Sequence, residues 1–370
     1  MNVTRKLLLC SLGLALSGAL SSAQADEKTL RLYNWADYFA EDTLARFTAE
    51  TGIKVIYDVM DGSETLEAKM MAGGSGYDLI FPGDTVGERL MRAGSLQPLD
   101  KSKLTALDDI EPGLQKLRTH YLYSNKATVP YTWGTIGLTY NTEQIKQRMP
   151  DAPVHSLDML FKPELAAKFA DCGISLIDSP DEVLAVTLNY LGREPRSAKP
   201  EDLAAASELL LKLRPYIRKF QSQPVSDLVN GNLCLSLGYS GDMTQAQRAA
   251  DAAGKKTAFQ YHIPREGTTV WMDTMAIPID AKHPEYAYAF INFVMRPENM
   301  AAISNFTGYP VSNAKARPNV DSMMRNNPDI YLDDVTYERL IPGKDVPQAD
   351  MRARMRAWTK FKTATASPTR

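Results

Sequence analysis

Apolar residues along this chain recur with two alternating periods. Residues 30–34 read as a short strand, and the spacing across 41–51 reads as a helix that Gly52 stops. Residues 53–59 are β-rich. A helix is predicted over 63–71, with Leu66 and Met70 on one face, before Gly73-Gly74. A short buried strand over 77–81 and a helix over 86–93 follow. Strands alternating with helices at this spacing predict a largely parallel sheet, which needs both faces covered.

After a polar stretch at 100–123, residues 129–141 form a β-rich run broken by Gly134 and Gly137. This run is predicted to be one strand passing from a first lobe to a second, with its glycines supplying backbone freedom for a hinge. A second α/β set follows: a strand at 173–177, a helix at 181–191 capped by Ser179 with Pro180 at its first position, and a helix at 201–213. A strand at 233–239, a helix at 243–253 and strands at 259–263 and 269–277 complete it. The last strand is the expected return crossing. A helix is predicted over 284–295. Near the C-terminus Met351, Met355 and Trp358 make an apolar stripe. Arg352, Arg354, Arg356, Lys360 and Lys362 beside it read as a solvated face, and 363–370 as a frayed tail.

The length, 370 residues, suits two domains. Arg5 and Lys6, the apolar run 7–16 and Ala23-Gln24-Ala25 predict a signal peptide over 1–25 and a mature chain from Asp26. The run is too short to span a bilayer, and no other segment is long and apolar enough, so a soluble exported product is expected. The net charge of −2 becomes −4 without Arg5 and Lys6, leaving 40 basic against 44 acidic residues, and no basic stripe points to nucleic acid. Cys10 falls inside the apolar run. Cys172 and Cys234 remain, and in an exported protein they suggest one disulfide, with two free buried thiols as the alternative.

The candidate chemistry lies where strands end and helices begin. Asp37, Asp84, Glu182, Asp242 and Asp273 fall at such places, accompanied by Trp35, Tyr38, Tyr239, Trp271 and Tyr309. Each alone has a plain reading as a helix cap or a core ring. Their recurrence in both halves is more specific. Ligands of open α/β sheets bind outside the carboxyl ends of strands, and rings beside carboxylates suit an organic ammonium ion. Buried acids need a partner; if they converge without Lys or Arg, the ligand must bring the positive charge, as a diamine or polyamine does. Calcium is the competing solution, but no D-x-D-x-D-G loop occurs. Gly73-Gly74-Ser75-Gly76 follows a helix and precedes a strand, the wrong order for a phosphate loop. His120, His155, His262 and His283 are scattered, and neither H-E-x-x-H nor G-x-S-x-G occurs. Paired acids leave glycoside hydrolysis as the enzymic alternative. No catalytic residue, metal site or cofactor is expected.

A family likeness runs through the mature chain. Tyr33-Asn34-Trp35-Ala36-Asp37-Tyr38, Thr51-Gly52-Ile53-Lys54-Val55, Met71-Ala72-Gly73 with Tyr77-Asp78-Leu79, and Gln97-Pro98-Leu99-Asp100-Lys101-Ser102-Lys103-Leu104 resemble the periplasmic polyamine-binding proteins of ABC importers. Leu188-Asn189-Tyr190-Leu191-Gly192, Leu210-Leu211-Lys212-Leu213-Arg214-Pro215, Gly241-Asp242 and Arg356-Ala357-Trp358-Thr359-Lys360 continue the likeness, which is strongest to the putrescine-type receptor.

The resemblance implies an α/β, two-lobed periplasmic-binding-protein fold of type II with crossing hinge strands. The expected lobes are 26–133 plus about 264–312, and 134–263 plus about 313–370. It implies ligand-binding rings at Trp35, Tyr38, Tyr239, Trp271 and Tyr309, and amine-binding carboxylates at Glu182, Asp242 and Asp273. Asp37 and Glu64 fall at the cleft edge, and Cys172 and Cys234 match a disulfide pair. A monomer that hands putrescine or spermidine to a membrane permease is implied. Departures occur at Ala36, where Ser is common, and at Asp84 and Thr85, in a Pro82-Gly83-Asp84-Thr85 turn replacing a serine-rich one. Tyr239 stands where Trp is usual, and Trp271 where Phe is usual. These departures leave agmatine, cadaverine and amino-acid-like solutes as alternatives.

Overall fold

The computed structural model describes residues 28–365; the expected signal peptide lies outside them, as do residues 366–370 of the expected tail. Among the described residues ten strands join in one sheet: β1 (Thr29–Asn34), β2 (Lys54–Val59), β3 (Leu79–Ile80), β4 (Thr128–Asn141), β5 (Ile174–Leu176), β6 (Ile217–Phe220), β7 (Leu235–Tyr239), β8 (Phe259–His262), β9 (Thr268–Ala276) and β10 (Leu340–Ile341). The order is β2-β1-β3-β9-β4-β7-β5-β6, with β10 beside β9 and β8 beside β4.

β1 pairs in parallel with β2 and β3, as the β/α alternation predicts. β4 is the strand that organises both lobes. Its first half pairs with β9, from Thr128 opposite Ala276 to Thr135 opposite Val270, and its second half pairs with β7 and β8. A third stretch runs beside it, where Trp133 donates its N–H to Pro310 and Ser312 donates to Tyr131. All fourteen residues of β4 are buried. Two lobes joined by crossing strands follow.

Gly134 and Gly137, expected to give the backbone hinge freedom, also have a packing role. Neither has a positive φ. A Cβ on Gly134 would lie 2.5 Å from the Trp271 ring, and one on Gly137 would lie 2.5 Å from the Tyr261 hydroxyl. These glycines leave room for those rings to approach the strand closely.

One core fills the first lobe around Leu30, Leu32, Leu79 and Ile80, and extends under the helix Gly241–Ala252. At its top Phe39, Phe81 and Tyr131 pack edge to face, 5.2 to 5.9 Å apart. The second core, around Ile136, Ile174 and Leu237, is closed by Trp358 and Phe361. The C-terminal helix, Gln348–Thr363, therefore buries a stripe other than the one expected: Arg354, Trp358 and Phe361 point inward, while Met355 is 46% exposed. Arg354 is no part of a solvated face; its side chain is buried at 0% exposure.

Cys172 and Cys234 form a disulfide across 62 positions, with Cα atoms 5.5 Å apart. Closing a loop of that length stabilises by about 4 kcal/mol in the chain-entropy model. Adding reductant to the protein in a urea titration is expected to lower its unfolding free energy by roughly that amount; a change below about 1 kcal/mol would contradict it.

Candidate functional site

Strand ends from both lobes converge on a cavity of about 1200 Å³. The exit of β1 supplies Trp35, Ala36, Asp37 and Tyr38, and the exit of β3 supplies Gly83, Asp84 and Thr85. Trp271 and Asp273 come from β9, Tyr239 and Asp242 from the exit of β7, and Asp181 and Glu182 from the start of the helix Pro180–Tyr190. Tyr309 follows the helix Pro297–Thr307. Every residue expected at the ligand site lines this cavity except Glu64. Glu64 is exposed on the first turn of the helix Ser63–Ala72, and its neighbour Ser63 faces the cavity instead.

The local folding explains the acids. Asp84 and Asp242 lie in the first turns of the helices Asp84–Arg92 and Gly241–Ala252, where the helix dipole favours negative charge. Asp242 Oδ2 accepts the Tyr239 N–H at 3.0 Å. Asp273 Oδ2 accepts the Tyr38 hydroxyl at 2.6 Å. The segment 35–38 is tied from below: the Tyr57 hydroxyl donates to the Trp35 carbonyl and the Tyr131 hydroxyl to the Tyr38 carbonyl. Asp37 is exposed and does not cap the following helix, whose N-cap position is Asp42. Its φ of 53° is the one positive value at a residue other than glycine among the described residues. Such geometry is uncommon and tolerated best by Asp and Asn.

Rings form the wall opposite. Tyr239 and Trp271 meet at 5.8 Å and 83°, and Trp271 and Tyr309 at 4.9 Å and 87°. The result is a right-angled corner of π faces beside Asp242 and Asp273.

Burial dominates the electrostatics. It pushes the Asp84 and Asp242 carboxyls up to about 8 and Asp273 up to about 6. The Arg118 guanidinium opposes the rise at Asp84, while Asp273 and Glu88 reinforce it. The Tyr239 N–H opposes it at Asp242, and the Tyr38 hydroxyl and Trp35 indole oppose it at Asp273. Burial also raises Glu182, against the pull of Arg196. Asp84 Oδ1, Glu182 Oε2 and Trp271 Nε1 are buried and have no hydrogen-bond partner in the protein.

The expectation of acids without resident cations holds at one end only. Arg196 lines the cavity and pairs with Asp181 at 2.5 Å, and Arg354 reaches the same carboxylate at 3.1 Å. Among the described residues, no cationic side chain acts on Asp242 or Asp273. The cavity is thus compensated around Asp181 and Glu182 and uncompensated at the aromatic corner. Asp181 and Arg196 were not singled out in the sequence. Asp181 carried a signal, as a second acid beside Glu182 on a helix's first turn; Arg196 carried none. None of the four histidines lines the cavity.

Comparison with known proteins agrees with this architecture. The family model of bacterial extracellular solute-binding proteins matches residues 42–330. The putrescine-binding periplasmic protein SpuD of Pseudomonas aeruginosa is 45% identical over 357 residues, covering 96% of this chain and 97% of its own. The putrescine-binding periplasmic protein PotF of Escherichia coli is 43% identical, over 95% of this chain and 96% of its own. The crystal structure of the spermidine/putrescine ABC transporter substrate-binding protein PotD of Streptococcus pneumoniae superposes with a TM-score of 0.79 at 29% identity, covering 90% of this chain and 98% of that one. The chain belongs to the family of bacterial extracellular solute-binding proteins and is a near full-length relative of the putrescine-binding periplasmic proteins.

Proposed function

We propose that this protein captures a di- or polyamine of the putrescine type in the periplasm, as a monomer, and delivers it to the membrane permease of an ABC importer. No chemistry on the ligand is involved. The relatives that match it over nearly their whole length are periplasmic binding proteins, and no helix of the described residues is long and apolar enough to cross a membrane. The observation that carries the reading is the aromatic corner at Asp242 and Asp273, where buried carboxylates lack a cation of the protein's own. An ammonium supplies that charge, and the rings cover its methylenes.

The lobes are proposed as 26–133 with 264–312 and 134–263 with 313–370. Trp35, Tyr38 and Asp273 then grip the ligand from the first lobe, and Glu182, Tyr239 and Asp242 from the second. A ligand held by both favours the closed state through differential contact, and the closed state docks on the permease.

Titration calorimetry with putrescine, cadaverine, agmatine and spermidine, on the protein and on Asp84→Asn, tests the ligand class. At least one amine is expected to bind tightly, and loss of the Asp84 carboxylate to weaken some amines more than others. Silence toward all of them would overturn the reading; equal affinities in the variant would remove Asp84 from the site.

Binding is also expected to depend on pH. At neutral pH the Asp84 and Asp242 carboxyls, at about 8, hold their protons, whereas an amine remains charged. Placing an ammonium against either carboxyl drives its proton off. Putrescine binding should therefore release protons at about pH 7 and tighten between about pH 6 and about pH 9. Binding enthalpies that do not vary with buffer ionisation enthalpy, with a flat affinity, would contradict this.

A further inference from the structure

Away from the cleft, two of the four histidines meet beside an aspartate. His155 lies in the loop before the helix Asp158–Phe161, His262 ends β8, and Asp329 lies between the helices Ser322–Arg325 and Asp334–Tyr337. The two imidazole centroids are 3.8 Å apart at 51°. His262 Nδ1 is 2.7 Å from Asp329 Oδ2. One ligating atom of each residue lies within 4.8 Å of the others. We propose that His155, His262 and Asp329 bind a divalent transition-metal ion of the zinc type.

Three further features support a built site. Asp329 Oδ1 accepts the Ile263 N–H at 3.1 Å, which holds the carboxylate, and the Asp329 N–H donates to Asn327 Oδ1 at 2.9 Å, which fixes its backbone. The His155 carbonyl accepts the Arg265 N–H at 2.8 Å, which anchors that loop to the chain leaving β8. The Tyr140 ring packs 5.8 Å from His262 and backs the second imidazole.

The donor set decides the metal. Two imidazoles and one carboxylate suit zinc, copper or nickel, whereas calcium and magnesium take oxygen. A tetrahedral ion about 2.1 Å from each donor needs those donors about 3.4 Å apart. The 2.7 Å between His262 Nδ1 and Asp329 Oδ2 opens to that value by a small turn of the carboxylate, and the exposed His155 closes the longer spacings by side-chain rotation. The ion enters between His262 Nδ1 and Asp329 Oδ2, in place of their direct hydrogen bond. His262 and Asp329 are only half-buried, so water completes the coordination. None of the three residues lines the cleft, and the inference does not rest on the amine reading.

Equilibrium dialysis of the full chain against zinc chloride, in an amine-free and chelator-free buffer, tests it. One equivalent of zinc is expected, bound roughly ten-fold or more weakly by His155→Ala, with putrescine affinity unchanged. His155 is exposed, so its removal leaves the fold intact. Cobalt gives a second readout: visible absorption of a low-coordinate nitrogen and oxygen site in the unaltered protein, lost in His155→Ala and in Asp329→Asn. Absence of stoichiometric zinc uptake, or equal uptake by His155→Ala, overturns the proposal.

Discussion

Asp242→Asn is expected to lose about 100-fold in putrescine affinity while the free protein becomes more stable at alkaline pH. Removing one partner of a buried, hydrogen-bonded charge pair weakens binding by about 2–5 kcal/mol, and about 3 kcal/mol is roughly two decades. The asparagine keeps the local geometry, because its amide oxygen can still accept the Tyr239 N–H that Asp242 accepts at 3.0 Å. Stability moves the other way. The folded carboxyl titrates at about 8, above the unfolded value, so between about pH 4 and about pH 8 the folded state holds a proton that the unfolded state gives up. Stability therefore falls as pH rises through that window, and the substitution removes this part of the fall. Melting temperatures of the two proteins should coincide near pH 4.5 and separate above pH 7, with the variant higher. A variant that bound putrescine normally, or melted lower at every pH, would show that Asp242 serves the fold rather than the ligand.

Much of the candidate site was legible in the sequence. A carboxylate at a strand exit has a plain role as a cap, and only its recurrence with aromatics in both halves pointed elsewhere. Trp35 to Tyr38, Asp84, and Tyr239 with Asp242 follow or end strands, whereas Trp271 and Asp273, expected beside a strand end, lie in the middle of β9; the topology carries all of them to one cavity. Glu64, expected at the cleft edge, is exposed on the first helical turn, and its neighbour Ser63 lines the cavity.

What sequence left hidden depends on contacts between distant segments. The pairing of β4 with β9, separated by more than a hundred residues, is what presses Trp271 onto Gly134. No local signal distinguishes that close approach from hinge freedom. The same holds for charges. Arg196 sits in a polar loop and Arg354 in a basic run, and each looks solvated until the structure brings both to Asp181. A helix stripe shifted by three positions is equally periodic, and an arginine on it is passed over by any pattern that counts only apolar residues.

Arg354→Met is expected to destabilise the protein by about 3 kcal/mol, the cost of leaving three carbonyls without their donor at about 1 kcal/mol or more each. The guanidinium is fully buried beside Trp358 and Phe361. It donates to the Ser197 carbonyl at 2.9 Å, the Asp181 carbonyl at 3.1 Å and the Pro195 carbonyl at 3.3 Å, and pairs with the Asp181 carboxylate. Methionine fills much of the volume but leaves those carbonyls unpaired in a dry site. Asp181 keeps Arg196, so the charge is not stranded, yet the helix start that carries Glu182 loses its tie to the C-terminal helix. A fall of roughly 10 °C in melting temperature is expected on the scale of 2–4 °C per kcal/mol. Arg352→Met and Arg356→Met, at exposed positions of the same helix, should stay within about 0.5 kcal/mol of the unaltered protein. Equal small effects at all three positions would return Arg354 to the solvated face that the sequence suggested. A large effect confined to Arg354, with a modest loss of amine affinity, would identify it as the clamp through which the C-terminal helix holds the Glu182 side of the cleft.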